Sequence, residues 1–258
     1  MSLLRYKKIG NGNIKLVLLH GWGLDSKVWL PILKQLQSSF QLYLIDLPGY
    51  GINYNSSFLN LEKMIEEIID IAPINALWLG WSLGGLIATK IAIQNKNVSG
   101  LITVASSPKF CSCEKGYWPG MNSKMLDHFA QQLKMNYLNT INRFIHSQII
   151  MKKSVKYSKI LEKNIVFTQK IPSSQTLDIG LNLLKSYDLR SILSKINLPI
   201  LHIYGRLDNL VNYKIVSIVD TLSPNSTSII FKRAFHAPFI SHPNLFSRTI
   251  INFCRNID

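Results

Sequence analysis

Acidic residues are what this chain has least of. Among 258 residues there are 14 Asp or Glu against 29 Lys or Arg, a formal net charge of +15. Such a surface attracts polyanions or acidic proteins, and the location of the charge decides which. Cysteine is also scarce: Cys111, Cys113 and Cys254 have neither the count nor the spacing of a disulfide framework or a metal centre. No metal or other cofactor is expected, and the expected setting is a reducing cytoplasm. Long hydrophobic runs are missing too. None approaches the ~18 to 20 residues that span a bilayer, and "MSLLRYKKIGNGN" lacks the apolar stretch and cleavage site of a signal peptide. No repeat or low-complexity tract interrupts the chain, and with 47% hydrophobic residues it can bury one sizeable core.

Within that core, short apolar runs alternate with helical patterns. "IKLVLLHG" (14–21), "QLYLIDLPG" (41–49), "ALWLGWS" (76–82), "SGLITVASS" (99–107), "LPILHIYG" (198–205) and "TSIIFKRA" (227–234) read as strands. They are continuous rather than alternating, the pattern of strands covered by helices on both faces. Helices are expected over Ser26–Leu36, Leu61–Ile71, Leu83–Gln94, Tyr213–Leu222 and Asn244–Cys254. The alternation predicts an α/β fold with a mostly parallel, doubly wound sheet, whose ligand crevice lies beyond the carboxyl ends of the strands. From about Phe110 to Leu184 no strand is evident, and stretches such as "MLDHFAQQLKMNYLNTINRFIHSQII" are amphipathic. The expected division is a core of residues 1–110 and 186–258, with an inserted α-helical cap over 111–185.

At the end of the third of these strands, Gly80-Trp81-Ser82-Leu83-Gly84 matches G-x-S-x-G. A serine at a sharp strand-to-helix turn is lifted toward solvent, and small neighbours two positions either side leave room for the strained backbone. Serine is a poor nucleophile without a base. His236 in "AFHAPFISHP" follows the last expected strand and can reach over the same sheet edge. His242 precedes a helix start and suits a capping or packing role, His128 and His146 fall in the insertion, and His202 lies inside a strand. Asp208 in "YGRLDNLV" sits on the loop after strand 198–205, placed to orient the imidazole. The chain order Ser82, Asp208, His236 is that of α/β-hydrolases. Oxyanion donors are expected from the backbone N–H of Leu83 and, in the early "HGWG" loop, of Trp22, whose indole would wall the pocket. His20 is expected to shape that loop, and Asp46 in "DLPGYG" to organise the turn between Pro48 and Gly51.

The chain thus resembles the α/β-hydrolases. Through "LVLLHGWGLDSKVW", "LIDLPGYG", "LWLGWSLGGLIA", "ITVASSP", "YGRLDNLV" and "HAPFISHP" it is similar, over nearly its whole length, to the esterases that cleave the methyl ester of pimeloyl-acyl carrier protein in biotin synthesis. The resemblance implies a serine carboxylesterase with a Ser82, Asp208, His236 triad acting through an acyl-enzyme. It implies substrate contacts from Trp22, Ser82, Leu83, Phe144, Ile145, His146, Ser147, Gln148 and His236, and a partner in the acyl carrier protein bearing the pimeloyl methyl ester.

The positive charge then acquires a place. Between Lys134 and Lys170 stand eight basic residues against Glu162 alone. Arg143, Lys152, Lys153, Lys156 and Lys159 are the expected docking residues for an acidic carrier. Lysine contacts are looser than arginine's fork, so docking should be salt-sensitive. Where family members carry several cap arginines, this cap has mostly lysines, and Asn212 stands where proline is common. Without a nucleic-acid module or a membrane segment, neither partner is expected, and a monomer is. Two other readings stay open: a broad-specificity short-chain carboxylesterase or thioesterase, and a noncatalytic small-molecule receptor on a hydrolase scaffold.

Overall fold

A computed structural model describes residues 4–56, 60–113, 117–144, 146 and 170–255. Its centre is a seven-stranded sheet in the order β1-β3-β2-β4-β5-β6-β7. The strands are β1 (Tyr6–Ile9), β2 (Ile14–Leu19), β3 (Phe40–Ile45), β4 (Ala76–Trp81), β5 (Val98–Val104), β6 (Ile200–Gly205) and β7 (Ser226–Phe231). Neighbours from β2 through β7 pair in parallel, and β1 pairs antiparallel with β3. The register aligns Leu19 with Gly80, Gly80 with Thr103, and Gly205 with Phe231, so the carboxyl ends of the strands form one rim.

Burial explains which strands the sequence announces. Every residue of β4 and β6 is buried, as a strand covered on both faces must be. Strand β1 is an addition to the six expected strands. Its "YKKI" is largely exposed on the sheet edge, where no apolar run marks it and lysines discourage edge-to-edge pairing.

Among the described residues the helices are α1 (Leu30–Leu36), α2 (Leu61–Ile71), α3 (Leu83–Gln94), α4 (Ser123–Met135), α5 (Tyr137–Phe144), α6 (Ser174–Ser186), α7 (Val216–Leu222), α8 (Pro238–Ser241) and α9 (Pro243–Arg255). The stretch expected to be helical from Ser26 begins as a 3-10 turn, Ser26–Trp29, before α1. Asp25 caps that turn by accepting from the Lys27 N–H (2.9 Å), while the Ser26 N–H donates to the Asp46 carboxylate (2.7 Å). Likewise Tyr213–Ile215 is a 3-10 turn ahead of α7, capped by the Asn212 side chain, which gives Asn212 its local role. Helix α3 is buried almost all round, as expected of a helix lying on the sheet beneath further layers.

Among the described residues, α4, α5 and α6 lie between β5 and β6. The long amphipathic stretch breaks at Asn136, which ends α4 and accepts from the Asn139 N–H (3.2 Å) to begin α5. Leu126, Leu133, Ile141, Leu177, Leu181 and Leu184 from these helices join the same apolar cluster as the sheet. The three helices therefore share the core above the strand ends.

Candidate active site

Ser82 occupies the junction of β4 and α3 with φ 53° and ψ −117°, outside the usual regions for a side-chain-bearing residue. Such a backbone costs on the order of 1–3 kcal/mol and persists only where its surroundings over-determine it. Here the Ser82 N–H donates to the Val104 carbonyl (2.9 Å), and the Ser82 carbonyl accepts from the Ser106 hydroxyl (2.8 Å) and the Gly85 N–H (3.0 Å). The flanking glycines are required by close approach. A Cβ at Gly80 would overlap the Gly84 carbonyl, and one at Gly84 would overlap the Leu19 and His20 carbonyl oxygens. The turn presents Ser82 to a cavity and sets the Leu83 N–H at the amino end of α3, where partial positive charge accumulates.

Asp208 and His236 come from the loops after β6 and β7. These loops are stitched together by Arg206 N–H to the Phe231 carbonyl (3.0 Å) and Leu207 N–H to the Ala234 carbonyl (2.9 Å). Asp208 is buried, and its Oδ1 accepts from the Leu210 (2.8 Å) and Val211 (3.0 Å) N–H groups. Its Oδ2 lies 2.8 Å from Nδ1 of the buried His236. An ionised carboxylate only accepts, so Nδ1 carries the proton and Nε2 keeps the lone pair of a general base. The Trp81 indole N–H donates to the His236 carbonyl (2.8 Å) and its ring lies 5.4 Å from the imidazole, which restrains that ring. His236 and Ser82 line the same cavity, of about 370 Å³. Among the hydrogen bonds of the described residues there is none between the Ser82 hydroxyl and the imidazole. Bonds of this kind commonly tighten only with substrate in place.

The early loop is built around the peptide linking Gly21 to Trp22. His20, fully buried, accepts the Leu47 N–H at Nε2 (2.9 Å), which leaves Nδ1 to donate to the Gly21 carbonyl (2.8 Å). Burial pushes the His20 pKa down and keeps this neutral tautomer. Holding the Gly21 carbonyl from one side turns the Trp22 N–H of the same planar peptide to the other. Neither the Trp22 nor the Leu83 N–H has a hydrogen-bond acceptor among the described residues. Asp46 accepts from Ser26 and Ile52 N–H groups (2.7 and 2.9 Å) and so organises the neighbouring turn.

The cavity wall is mainly apolar, with Phe110, Met121, Met125, Leu126, Phe129, Leu184 and Leu210 beside Trp22. Phe144 lines it and meets His236 edge-on at 6.2 Å, and Arg143 lines it as well. His146 is exposed and is absent from the cavity wall. Ile145, Ser147, Gln148, Lys152, Lys153, Lys156 and Lys159 lie outside the described residues. Sequence reasoning missed the α4 contribution. Met125, Phe129 and Gln132 recur at helical spacing on one face, and His128 joins them. Away from the cavity, His202 pairs with Thr103 (2.6 Å) inside the sheet, and His242 contacts the Ser241 hydroxyl (2.8 Å) at the end of α8. Lys134 is paired with Asp178 (2.6 Å), which removes one charge from the free excess on the insertion. All three cysteines are free thiols. No helix among the described residues is long and apolar enough to cross a membrane.

Comparison with known proteins agrees with this architecture. Residues 15–243 match the family model described as the alpha/beta hydrolase fold. The chain is 44% identical over 254 residues to a pimeloyl-[acyl-carrier protein] methyl ester esterase of Sodalis glossinidius, covering 98% of each chain. It is 44% identical over 256 residues to the protein of the same name from Proteus mirabilis, covering 98% of this chain and 97% of that one. Among solved structures, a hydrolase from Oleispira antarctica superposes with a TM-score of 0.83 at 21% identity, over 97% of this chain and 94% of the other. An esterase from Exiguobacterium antarcticum gives 0.81 at 22% identity, over 98% and 95%. At such identities these two structures speak for the fold alone.

Proposed function

The chain belongs to the α/β-hydrolase family and, within it, to the pimeloyl-[acyl-carrier protein] methyl ester esterases, and from that premise we propose how its own residues cleave the ester. It is a carboxylic ester hydrolase that frees methanol from the carrier-bound pimeloyl methyl ester in biotin synthesis. The observation that carries the residue assignment is the Asp208-bonded imidazole of His236 opening onto the cavity that receives Ser82.

His236 Nε2 takes the Ser82 proton as Oγ attacks the ester carbonyl carbon. The carbonyl oxygen, now an oxyanion, is received by the Leu83 and Trp22 N–H groups. Collapse breaks the bond to the methoxy oxygen, and His236 returns the proton to it, so methanol leaves. Water then gives a proton to the same imidazole and attacks the acyl-enzyme. Loss of Oγ, reprotonated by His236, releases the carboxylate with the carrier thioester intact. Asp208 holds the productive tautomer throughout and stabilises the imidazolium. The apolar cavity wall suits the methylene chain, and no metal or organic cofactor enters the scheme.

Residues 111–185 form the cap in this reading, with 1–110 and 186–258 as the core. The carrier docks on the cap through Arg143, Lys152, Lys153, Lys156 and Lys159, and substrate contacts come from Phe144 in the cavity wall and from Ile145, Ser147 and Gln148. The enzyme works as a cytoplasmic monomer and binds neither nucleic acid nor membrane.

The test is growth of a biotin-requiring strain that lacks its own esterase, supplied with this chain or with its Ser82→Ala variant. Growth with the first alone is expected. Growth with both, or with neither, removes support for the carrier-bound substrate and favours a broad short-chain esterase or a noncatalytic binder.

A further inference from the structure

The loop that carries the second oxyanion donor is soft by construction. Gly21 lies where a Cβ would press on the Trp81 ring and the Ser82 side chain, and Gly23 adopts φ +77°, so two of its residues are glycines. Glycine tolerates many backbone conformations, and such a loop does not hold an N–H in one direction unaided. His20 restrains it from the sheet side. From the other side the restraints come from the helices inserted between β5 and β6.

Three contacts make them. The Trp22 indole N–H donates to the Leu177 carbonyl on α6 (3.0 Å), a buried bond spanning 155 residues. The Tyr137 hydroxyl at the start of α5 donates to the Gly23 carbonyl (2.7 Å), also buried. The Trp22 ring packs edge-on against Phe129 of α4 at 5.6 Å. The face of α6 is cut to receive the indole, because a Cβ at Gly180 would overlap Trp22 Cδ1 and crowd Nε1 (2.8 Å). Burial raises the Tyr137 pKa, so the phenol stays a hydroxyl donor at any working pH.

We infer that Tyr137 and the Leu177–Gly180 turn of α6 are positioning residues for the oxyanion hole, holding the Trp22 N–H in its catalytic direction through the Gly23 carbonyl and the indole. The inserted helices then do more than enclose substrate, since seating them completes the site. This rests on the assignment of the Trp22 N–H as an oxyanion donor under the proposed function.

Loss of a whole oxyanion donor costs roughly 10²–10³ in kcat. A donor that is still present but no longer held should cost about ten-fold. The experiment compares wild type, Tyr137→Phe, Gly180→Ala and Ser82→Ala on a free short-chain methyl ester, well below each melting temperature. It also measures affinity for a trifluoromethyl ketone, which forms the tetrahedral oxyanion. Tyr137→Phe keeps the ring and removes the hydroxyl that donates to the Gly23 carbonyl. The expected result is kcat about ten-fold lower, KM within about two-fold of wild type, and ketone affinity weakened in step with kcat. Gly180→Ala, which displaces the indole, should act in the same direction. A lower melting temperature with unchanged kcat and ketone affinity in both variants would assign these residues to stability alone and overturn the inference. Full activity of Ser82→Ala would instead overturn the catalytic assignment itself, a separate result read from the same plate.

Discussion

Replacing Asp208 with Asn should silence the base without disturbing the fold, and the hydrogen bonds around this side chain say why. Oδ1 accepts two backbone N–H groups, from Leu210 and Val211, and Oδ2 accepts one imidazole N–H. An asparagine offers one oxygen and one NH₂. If the oxygen faced His236, the NH₂ would confront both backbone donors and leave the buried Val211 N–H and the half-buried Leu210 N–H unpaired, at up to about 1–3 kcal/mol each. If the oxygen faces the backbone, the NH₂ meets Nδ1, and the imidazole need only shift its proton to Nε2. The second arrangement wins by several kcal/mol. Nε2 is then the protonated nitrogen and cannot accept from Ser82. At about 1.4 kcal/mol per factor of ten, the productive tautomer falls to on the order of 10⁻² or less. Loss of the negative charge beside the developing imidazolium adds to this, and the same change in another serine hydrolase costs about 10⁴ in kcat. The assay is kcat/KM on a short-chain ester at neutral pH, with fluorophosphonate labelling of Ser82 and a melting curve. A loss near 10⁴ with slowed labelling and a near-normal melting temperature is expected. A folded Asp208→Asn protein within ten-fold of wild type would refute the tautomer argument.

Gly84→Ala should destabilise the protein by roughly 2–4 kcal/mol, because the new methyl meets the carbonyl oxygens of Leu19, the last residue of β2, and of the buried His20 just after it; calorimetry reads the drop. His202, fully buried, has its pKa lowered by burial to about 4, so the unfolded chain binds a proton that the folded one refuses. Its contribution is present above the unfolded pKa near 6.5 and is lost as pH falls toward 4, up to about 3 kcal/mol. Denaturant unfolding across that range should show His202→Gln with a shallower loss than wild type, and parallel curves would contradict the assignment. Turnover of the carrier-bound ester should fall as salt is raised from roughly 50 to 500 mM while a free methyl ester is unaffected, and equal responses would argue against charge-guided docking.

The sheet was readable because β2 to β6 are mostly buried and therefore appear as apolar runs, while β7, a half-buried edge strand, is marked by the β-branched "TSII". Strand β1 was not, since "YKKI" gains its pairing from β3 and exposes most of its side chains. The 3-10 opening at Ser26 is tied to Asp46 from elsewhere in the chain and the one at Tyr213 to the adjacent Asn212 side chain, and neither bond alters the apolar pattern that announces a helix. Ser82, Asp208 and His236 could be nominated because chemistry restricts the residue types and each stands at the end of a strand or on the loop that follows one. The roles of His20 and Asp46 as loop organisers were legible for the same reason. The cavity wall was less so. Which face of α4 looks inward depends on how the insertion sits over the rim, and Met125, Phe129 and Gln132 look like any helix stripe until it is seated. Least legible were the bonds from Tyr137 and Leu177 to the early loop, which join residues 114 and 155 positions apart without a motif to mark them.

The most direct measurement is to mix enzyme with pimeloyl-acyl carrier protein methyl ester, quench within the first turnovers, and map the acylated peptide by mass while methanol is counted. A pimeloyl adduct on Ser82, one methanol released per adduct and neither product with Ser82→Ala is the predicted result. Steady methanol release by Ser82→Ala, or an adduct on a different side chain, would contradict the account.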